Sequence, residues 1–495
     1  MCYKIEMKIK PILTLSFLLV CCCSFSQSSL TQVYGFGNNP GNLNMYTYIP
    51  TGISDSSPLV ISMHGCGQTA AIYAAQSGWN KLADLHHFYV VYPEQQLVNN
   101  GSNCFNWFQS ADINKDQGEA LSIRQMVDYM ISNYSINPSA IFVTGLSAGA
   151  GMSVVMLADY PEIFSKGAIM AGVPYKAATS GLYASTVLNG GVSYPPNQWG
   201  DSVRAQNPNY TGTPPRMAIF HGTYDLVVNV ANATELIKQW TNVNNADQTI
   251  DSTFSSYLGN SSVEKTVYTD ASNATVVEYF KISGMGHGIS LDTGSCPRQG
   301  GAVGYYAIEE NFHSTYWAAN FFNILRSPYI INGLTQVIVS SSNVIYSVPF
   351  TIGSSYAWTV PTGASITNGL GTNSITVTFG SSGGDISVQE TTSSNCVNES
   401  ASLHVNVDVA SSISAGVKTS STFFYSKTDN SIVAKNINLN ELKALKLFNS
   451  LGQKLDDVYS IQGNKIVFSS DLKAGVYIVL VETYDKQYSS KIVVY

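Results

Sequence analysis

The residues best equipped for chemistry in this 495-residue chain lie in the run Ile-Phe-Val-Thr-Gly-Leu-Ser-Ala-Gly-Ala at positions 141–150. Ser147 stands between Gly145 and Gly149 in a Gly-x-Ser-x-Gly pattern, after a β-branched stretch and before Met152, Val154, Val155, Met156 and Leu157. A strand that turns sharply into a helix lifts a serine hydroxyl clear of a sheet, and flanking glycines permit the tight turn and the close approach of another backbone. The pattern predicts a nucleophile elbow, but in a chain rich in Gly and Ser it needs partners.

Two partners follow the serine. Past the apolar run Met217-Ala218-Ile219-Phe220 comes His221-Gly222-Thr223-Tyr224-Asp225, and past Tyr279-Phe280-Lys281-Ile282 comes Ser283-Gly284-Met285-Gly286-His287-Gly288. The order Ser, Asp, His is that of an α/β-hydrolase. An imidazole with a pKa near 6.5 can take the serine proton and return it to a leaving alkoxide, so His287 is the expected base and Asp225 the carboxylate that orients it. The other six histidines, His64, His86, His87, His221, His313 and His404, lack the combination of strand end and flanking glycines. An oxyanion needs donors. The loop Met63-His64-Gly65-Cys66-Gly67-Gln68 offers the backbone amide of Cys66 to join that of Ala148. His64 with Cys66 supplies too few ligands for a metal, and neither metal nor cofactor is expected.

These residues require a parallel sheet that presents them along one edge, since doubly wound sheets carry their chemistry at the carboxyl ends of strands. From about residue 42 to 326 strand-like and helix-like patterns alternate, the α/β signature. Strands are expected at 45–49, 59–63, 88–92, 141–144, 167–170, 217–220 and 276–282. Helices are expected at 119–134, 231–240 and, as a long aromatic-rich closing helix, 305–325, with Asn137-Pro138 as a turn.

Charged residues make up 12% of the chain, against a usual share of about 25%, and the net charge is -7 with no basic run. This excludes nucleic acid and anionic membrane surfaces as partners. Lys4, Lys8 and Lys10 precede an apolar run at 12–20 and small residues up to 27, the build of a secretory signal peptide too short to anchor in a bilayer. Of eight cysteines, Cys66, Cys104, Cys296 and Cys396 remain after it, which allows three pairings. Cys66 with Cys104 is favoured because each follows an apolar strand pattern ending on the same sheet edge; the sequence leaves open whether Cys396, in a different domain, is free or paired with Cys296.

The stretches His64-Gly65-Cys66-Gly67-Gln68-Thr69, Ser77-Gly78-Trp79-Asn80, Tyr92-Pro93-Glu94-Gln95, Cys104-Phe105-Asn106-Trp107-Phe108, the serine elbow, His221 to Asp225 with Gln239-Trp240, and Met285-Gly286-His287-Gly288 recur in order. Over about residues 43–326 the chain resembles extracellular short-chain-length polyhydroxyalkanoate (PHB) depolymerases of the wider feruloyl and acetyl-xylan esterase superfamily. The resemblance implies hydrolysis of a polyester at the triad above. The family often has Trp where Phe105 stands, and Ser295-Cys296-Pro297 matches its cysteine pattern only in part. Trp107, Trp79 and Phe105 are expected to form an apolar wall against the acyl group.

Beyond Ser327-Pro328 short alternating segments separated by Gly, Asn and Ser predict a β-sandwich, and Trp358-Thr359-Val360-Pro361-Thr362-Gly363 resembles the PKD-like modules of secreted enzymes, with Trp358 as a core plug and the module as a spacer. The motifs at 445–453, 471–479 and 490–494 resemble the C-terminal sorting domain of the type IX secretion system, which implies that export machinery as a partner and a cell-surface or extracellular destination. The expected organisation is a signal peptide at 1–27, an α/β-hydrolase at 28–326, a PKD-like sandwich at 327–409, a Ser-rich linker at 410–427 and the sorting domain at 428–495, the last two domains being all-β and immunoglobulin-like. The function expected is that of a secreted serine esterase acting on poly(3-hydroxybutyrate)-like polyesters. Its alternatives are a feruloyl or acetyl-xylan esterase and an inactive surface polymer-binding protein.

Overall fold

The computed structural model describes residues 30–408 and, in the last unit, 422–494 except 436, 450–451, 456–458, 470 and 485–486. The expected signal peptide at 1–27 and residues 410–421 of the expected linker lie outside the described residues.

The first unit begins β1 (Thr31–Val33), β2 (Asn44–Tyr48), β3 (Ser57–Met63), α1 (Ala70–Ser77), α2 (Trp79–His86), β4 (Tyr89–Glu94) and α3 (Gly118–Asn133). It continues β5 (Ile136–Leu146), α4 (Ala148–Asp159), β6 (Lys166–Met170), α5 (Gly181–Leu188), α6 (Pro196–Arg204), β7 (Arg216–Gly222) and α7 (Ala231–Val243). It closes with β8 (Ser252–Phe254), β9 (Val263–Thr269), β10 (Thr275–Ile282), β11 (Ile289–Leu291), β12 (Ala307–Glu309) and α8 (Ser314–Phe322). One ten-stranded sheet runs in the order β1-β2-β4-β3-β5-β6-β7-β10-β9-β8. From β4 to β10 neighbours pair parallel, while both edges are antiparallel. Every residue of β3 is buried because helices cover both faces. Alternate residues of β5 feed the two cores: Val143 packs with Met126, Met130 and Leu157 on one side, Phe142 with Phe322 and Leu82 on the other.

The seven expected strands are all present. The antiparallel additions β1, β8 and β9 were not expected, being short or more polar than the buried strands. Asn137-Pro138 does not turn the chain back. It lies within β5, where the pairing with β3 jumps from Ser57 opposite Ile136 to Leu59 opposite Ile141, and the excess residues accommodate a proline that has no amide to donate. The long helix at 305–325 is also corrected. Residues 307–309 form β12 beside β11, and Asn311, at φ 50°, interrupts the chain in a left-handed conformation before the short α8.

The second unit contains β13 (Gln336–Ile338), β14 (Val344–Ser347), β15 (Ser355–Thr359), β16 (Ser365–Asn368), β17 (Ser374–Thr378), β18 (Gly384–Thr391) and β19 (Ala401–Asp408). Sheets β13-β19-β18-β15 and β14-β17-β16 enclose one core, in which Trp358 is buried and donates from Nε1 to the Thr372 carbonyl at 2.7 Å. The third unit contains β20 (Thr422–Ser426), β21 (Ser431–Lys435), β22 (Leu442–Asn449), β23 (Lys454–Leu455), β24 (Tyr459–Gln462), β25 (Lys465–Phe468), β26 (Gly475–Thr483) and β27 (Gln487–Val494). Its sheets β20-β21-β25-β24 and β23-β22-β26-β27 share a separate core. Strand β20 falls inside the stretch read as linker, because Phe423 enters this core.

Cys296 and Cys396, whose pairing the sequence leaves open, are disulfide-bonded, with Cα atoms 5.0 Å apart. Membership of a different unit does not keep Cys396 away. The loop after β18 reaches onto the first unit, where Glu399 Oε1 accepts from the Tyr316 hydroxyl at 2.5 Å and lies 3.8 Å from Arg298 Nε.

Candidate active site

Strand β5 delivers Ser147 at its carboxyl end, and the backbone there is held at φ 56°, ψ -117° before α4 begins. A non-glycine residue in this region costs of order 1–3 kcal/mol and persists only where the surroundings enforce it. They do so here by close packing. A Cβ on Gly149 would collide with the carbonyls of His64 and Met63, and one on Gly145 would sit 2.5 Å from the Gly149 carbonyl. The Ser147 amide donates to the Met170 carbonyl of β6 at 2.9 Å, which pins the elbow.

Asp225 follows β7. Its Oδ1 accepts from the amides of Val227 (2.9 Å) and Val228 (2.8 Å), and its Oδ2 receives Nδ1 of His287 at 2.8 Å. Burial works to raise this carboxyl. Hydrogen bonds from His221, His287 and the Val228 amide outweigh it and hold the group well below the usual carboxylate range. With Nδ1 engaged on Asp225, the other ring nitrogen of His287 has no protein partner among the described residues, and the ring is braced edge-on by Tyr306 at 5.5 Å.

Ser147 and His287 border one cavity of about 120 Å³, whose wall includes Leu146, Trp107, Phe108, Ala184, Leu188 and Val227. Cys66 and Ala148 border it too, and among the described residues neither backbone amide is taken up by a hydrogen bond. The neighbouring groups of the loop are engaged. The Gly65 amide donates to Gln68 Oε1 at 2.8 Å, the Gly67 amide to the Ser102 carbonyl at 2.9 Å, and His64 Nδ1 to the Gly65 carbonyl at 2.7 Å. The Cys66–Cys104 disulfide ties the loop to the segment carrying Trp107.

Of the three aromatic residues expected at the substrate, only Trp107 lines the cavity. Trp79 is fully buried on α2 against Phe88 and Phe322, where it fills the core on one face of the sheet. Phe105 is fully buried against His64, with ring centroids 5.0 Å apart, and supports the loop from below.

Two contributions were not legible beforehand. His221, set aside in the sequence, lies buried with Nε2 3.3 Å from Asp225 Oδ2 and 2.8 Å from the Val228 carbonyl. Its place four residues before Asp225 at a strand end was the available signal. Behind the Cys66 loop, buried Glu119 accepts from Gln95 Nε2 (2.5 Å) and the Asn106 amide (2.8 Å), while the Gln95 amide donates to His64 Nε2 at 3.1 Å. Burial, then the charge of Asp112, raises the Glu119 carboxyl to about 8. No group of three or more His, Cys, Asp or Glu side chains suited to a metal occurs among the described residues.

Comparison with known proteins gives two family matches: residues 43–265 match the esterase PHB depolymerase family and residues 325–407 the PKD-like domain. A poly(3-hydroxyalkanoate) depolymerase C of Paucimonas lemoignei is 46% identical over 316 residues, covering 64% of this chain and 75% of the relative. An acetylxylan esterase of Coprinopsis cinerea is 37% identical over 265 residues, covering 52% of this chain and 69% of the relative. Among solved structures, an acetyl xylan esterase from Aspergillus awamori superposes with a TM-score of 0.49 at 31% identity, covering 52% of this chain and 94% of that one.

Proposed function

The chain belongs to the PHB depolymerase esterase family, and from that premise we propose a secreted serine esterase that hydrolyses poly(3-hydroxybutyrate)-like polyesters through Ser147, His287 and Asp225. The observation that carries the reading is the 2.8 Å bond from His287 Nδ1 to Asp225 Oδ2 beside an apolar cavity that Ser147 also borders.

His287 Nε2 takes the proton of the Ser147 hydroxyl as Oγ attacks the ester carbonyl. The tetrahedral oxyanion is met by the amides of Cys66 and Ala148. His287 then passes its proton to the departing alkoxide, leaving an acyl-serine, and water repeats the sequence to free the acid. Asp225 stays ionised throughout, because its hydrogen bonds favour the carboxylate. Trp107, Phe108 and Leu188 bound a space suited to a short acyl unit.

The two disulfides suit an oxidising compartment, in keeping with export by the signal peptide. Residues 428–495 act as the type IX sorting unit, and their own core, apart from that of the esterase, supports a role outside catalysis. A chain ending at residue 421 should keep esterase activity and fail to leave the cell.

The decisive experiment is labelling of the exported protein with a fluorophosphonate, with Ser147→Ala as control, alongside release of 3-hydroxybutyrate, ferulate and acetate from matched substrates. Labelling that survives Ser147→Ala removes the nucleophile. Ferulate or acetate released faster than 3-hydroxybutyrate moves the substrate to plant cell-wall esters.

A further inference from the structure

Three buried residues, Glu119, Gln95 and His64, form a relay of hydrogen bonds that ends on the peptide group carrying the Cys66 amide. The Gln95 amide donates to His64 Nε2 at 3.1 Å, so that nitrogen is the acceptor and the ring proton sits on Nδ1. Nδ1 donates in turn to the Gly65 carbonyl at 2.7 Å. In a trans peptide the carbonyl and the following N–H point in opposite directions, so a fixed Gly65 carbonyl fixes where the Cys66 N–H is aimed. Gln95 is itself oriented. Its Oε1 accepts from the Gln96 amide at 2.9 Å and from Asn99 Nδ2 at 2.8 Å, which turns its Nε2 toward the Cys104 carbonyl (3.1 Å) and Glu119 Oε1 (2.5 Å). The other carboxyl oxygen of Glu119 accepts from the Asn106 amide at 2.8 Å. One side chain in the first turn of α3 thereby holds both the residue that sets His64 and the segment that carries Cys104, the disulfide partner of Cys66.

We propose that Glu119, acting through Gln95, is a positioning residue for the oxyanion hole that presets the direction of the Cys66 amide, a proposal that rests on the reading of the site given above. An oxyanion donor is effective when it is aimed before charge develops, because nothing then has to reorganise as the carbonyl oxygen becomes an anion. A loop with Gly65 and Gly67 on either side of Cys66 does not keep such an aim by itself. Neither Glu119 nor Gln95 borders the cavity. Loosening them therefore acts where the amide is used, in the transition state, and leaves binding of the ester as it was.

The test compares the full-length parent with Glu119→Gln, which sets an NH2 group against one of the two donors, and with Gln95→Met, which drops both bonds from Nε2 but leaves the backbone amide on His64. Folding is checked by circular dichroism. Turnover is measured on p-nitrophenyl butyrate, together with the inhibition constant of an alkyl trifluoromethyl ketone, whose adduct with Ser147 places a tetrahedral oxyanion in the hole. Each variant is expected to lose about tenfold or more in kcat with KM within about twofold of the parent, and ketone affinity should fall in step with kcat/KM. The ratio of octanoate to butyrate turnover should stay at the parent value. Unchanged kcat, a loss carried by KM, or ketone affinity that holds while kcat falls overturns the proposal. So does a moved ratio, which would make Trp107 the displaced group, or failure of both variants to fold, which would make the network structural only. Failure of the parent reading looks different: a parent that turns over the butyrate but releases ferulate faster than 3-hydroxybutyrate loses its assigned substrate and keeps its preset amide.

Discussion

His221 Nε2 lies 3.3 Å from Asp225 Oδ2, and neither side chain meets solvent. The carboxylate thus stands between two imidazoles, one directed at the cavity and one closing the turn onto the Val228 carbonyl.

Replacing His221 with Ala should remove one donor from a buried anion, which costs about 1–3 kcal/mol and corresponds to a roughly 5- to 150-fold fall in kcat/KM. His221→Gln, which retains a donor, should recover most of it. A fall in activity that His221→Gln does not recover would make His221 structural only.

Glu119 should make stability fall with rising pH. Its folded carboxyl titrates at about 8 and the unfolded one near 4.5, so between these values the unfolded chain has released a proton that the folded one keeps. Glu119→Gln removes this dependence but turns an amide donor toward the Asn106 amide or Gln95, at a cost of about 1–3 kcal/mol. Urea unfolding should find the variant less stable than the parent at pH 5, with the gap narrowing toward pH 8. A constant gap would contradict the assignment.

Trp107→Ala should enlarge the acyl side of the cavity. The rate on p-nitrophenyl butyrate should fall, and the ratio of octanoate to butyrate turnover should rise by about tenfold, the scale on which pocket volume discriminates methylenes. An unchanged ratio would place the acyl group elsewhere.

Cys396→Ser should destabilise the protein by up to about 5 kcal/mol in the chain-entropy account of a loop of this size, since the bond spans 100 residues. Soluble-ester turnover at 25 °C should be almost unaffected. Cys104→Ser should instead lower kcat, because it unfastens the loop that carries the Cys66 amide.

The parallel sheet was readable in the sequence because its strands are buried on both faces and appear as continuous apolar runs. Strand β9 was not, because its exposed face is polar and the strand gains its place from β10. Ser147, Asp225 and His287 were each marked by a strand end and by glycines. Glu119 carried no such mark, and His221, though it shares the strand end and Gly222 with Asp225, is set apart only by the carboxylate and carbonyl it touches in the folded turn. Trp79 and Phe105 misled for a related reason: aromatic residues near a strand end serve the core as readily as a ligand, and only packing tells which.

The covalent link from Cys296 to Cys396 also sets what survives damage outside the cell. A protease that nicks any exposed turn between these positions opens the chain without separating the pieces, which should run as one band until a reductant is added. A cut between residue 408 and the last unit has no such safeguard: among the described residues only packing, such as that of Gly452 on Ile338, then holds that unit, while esterase and PKD-like module stay covalently joined as a durable pair.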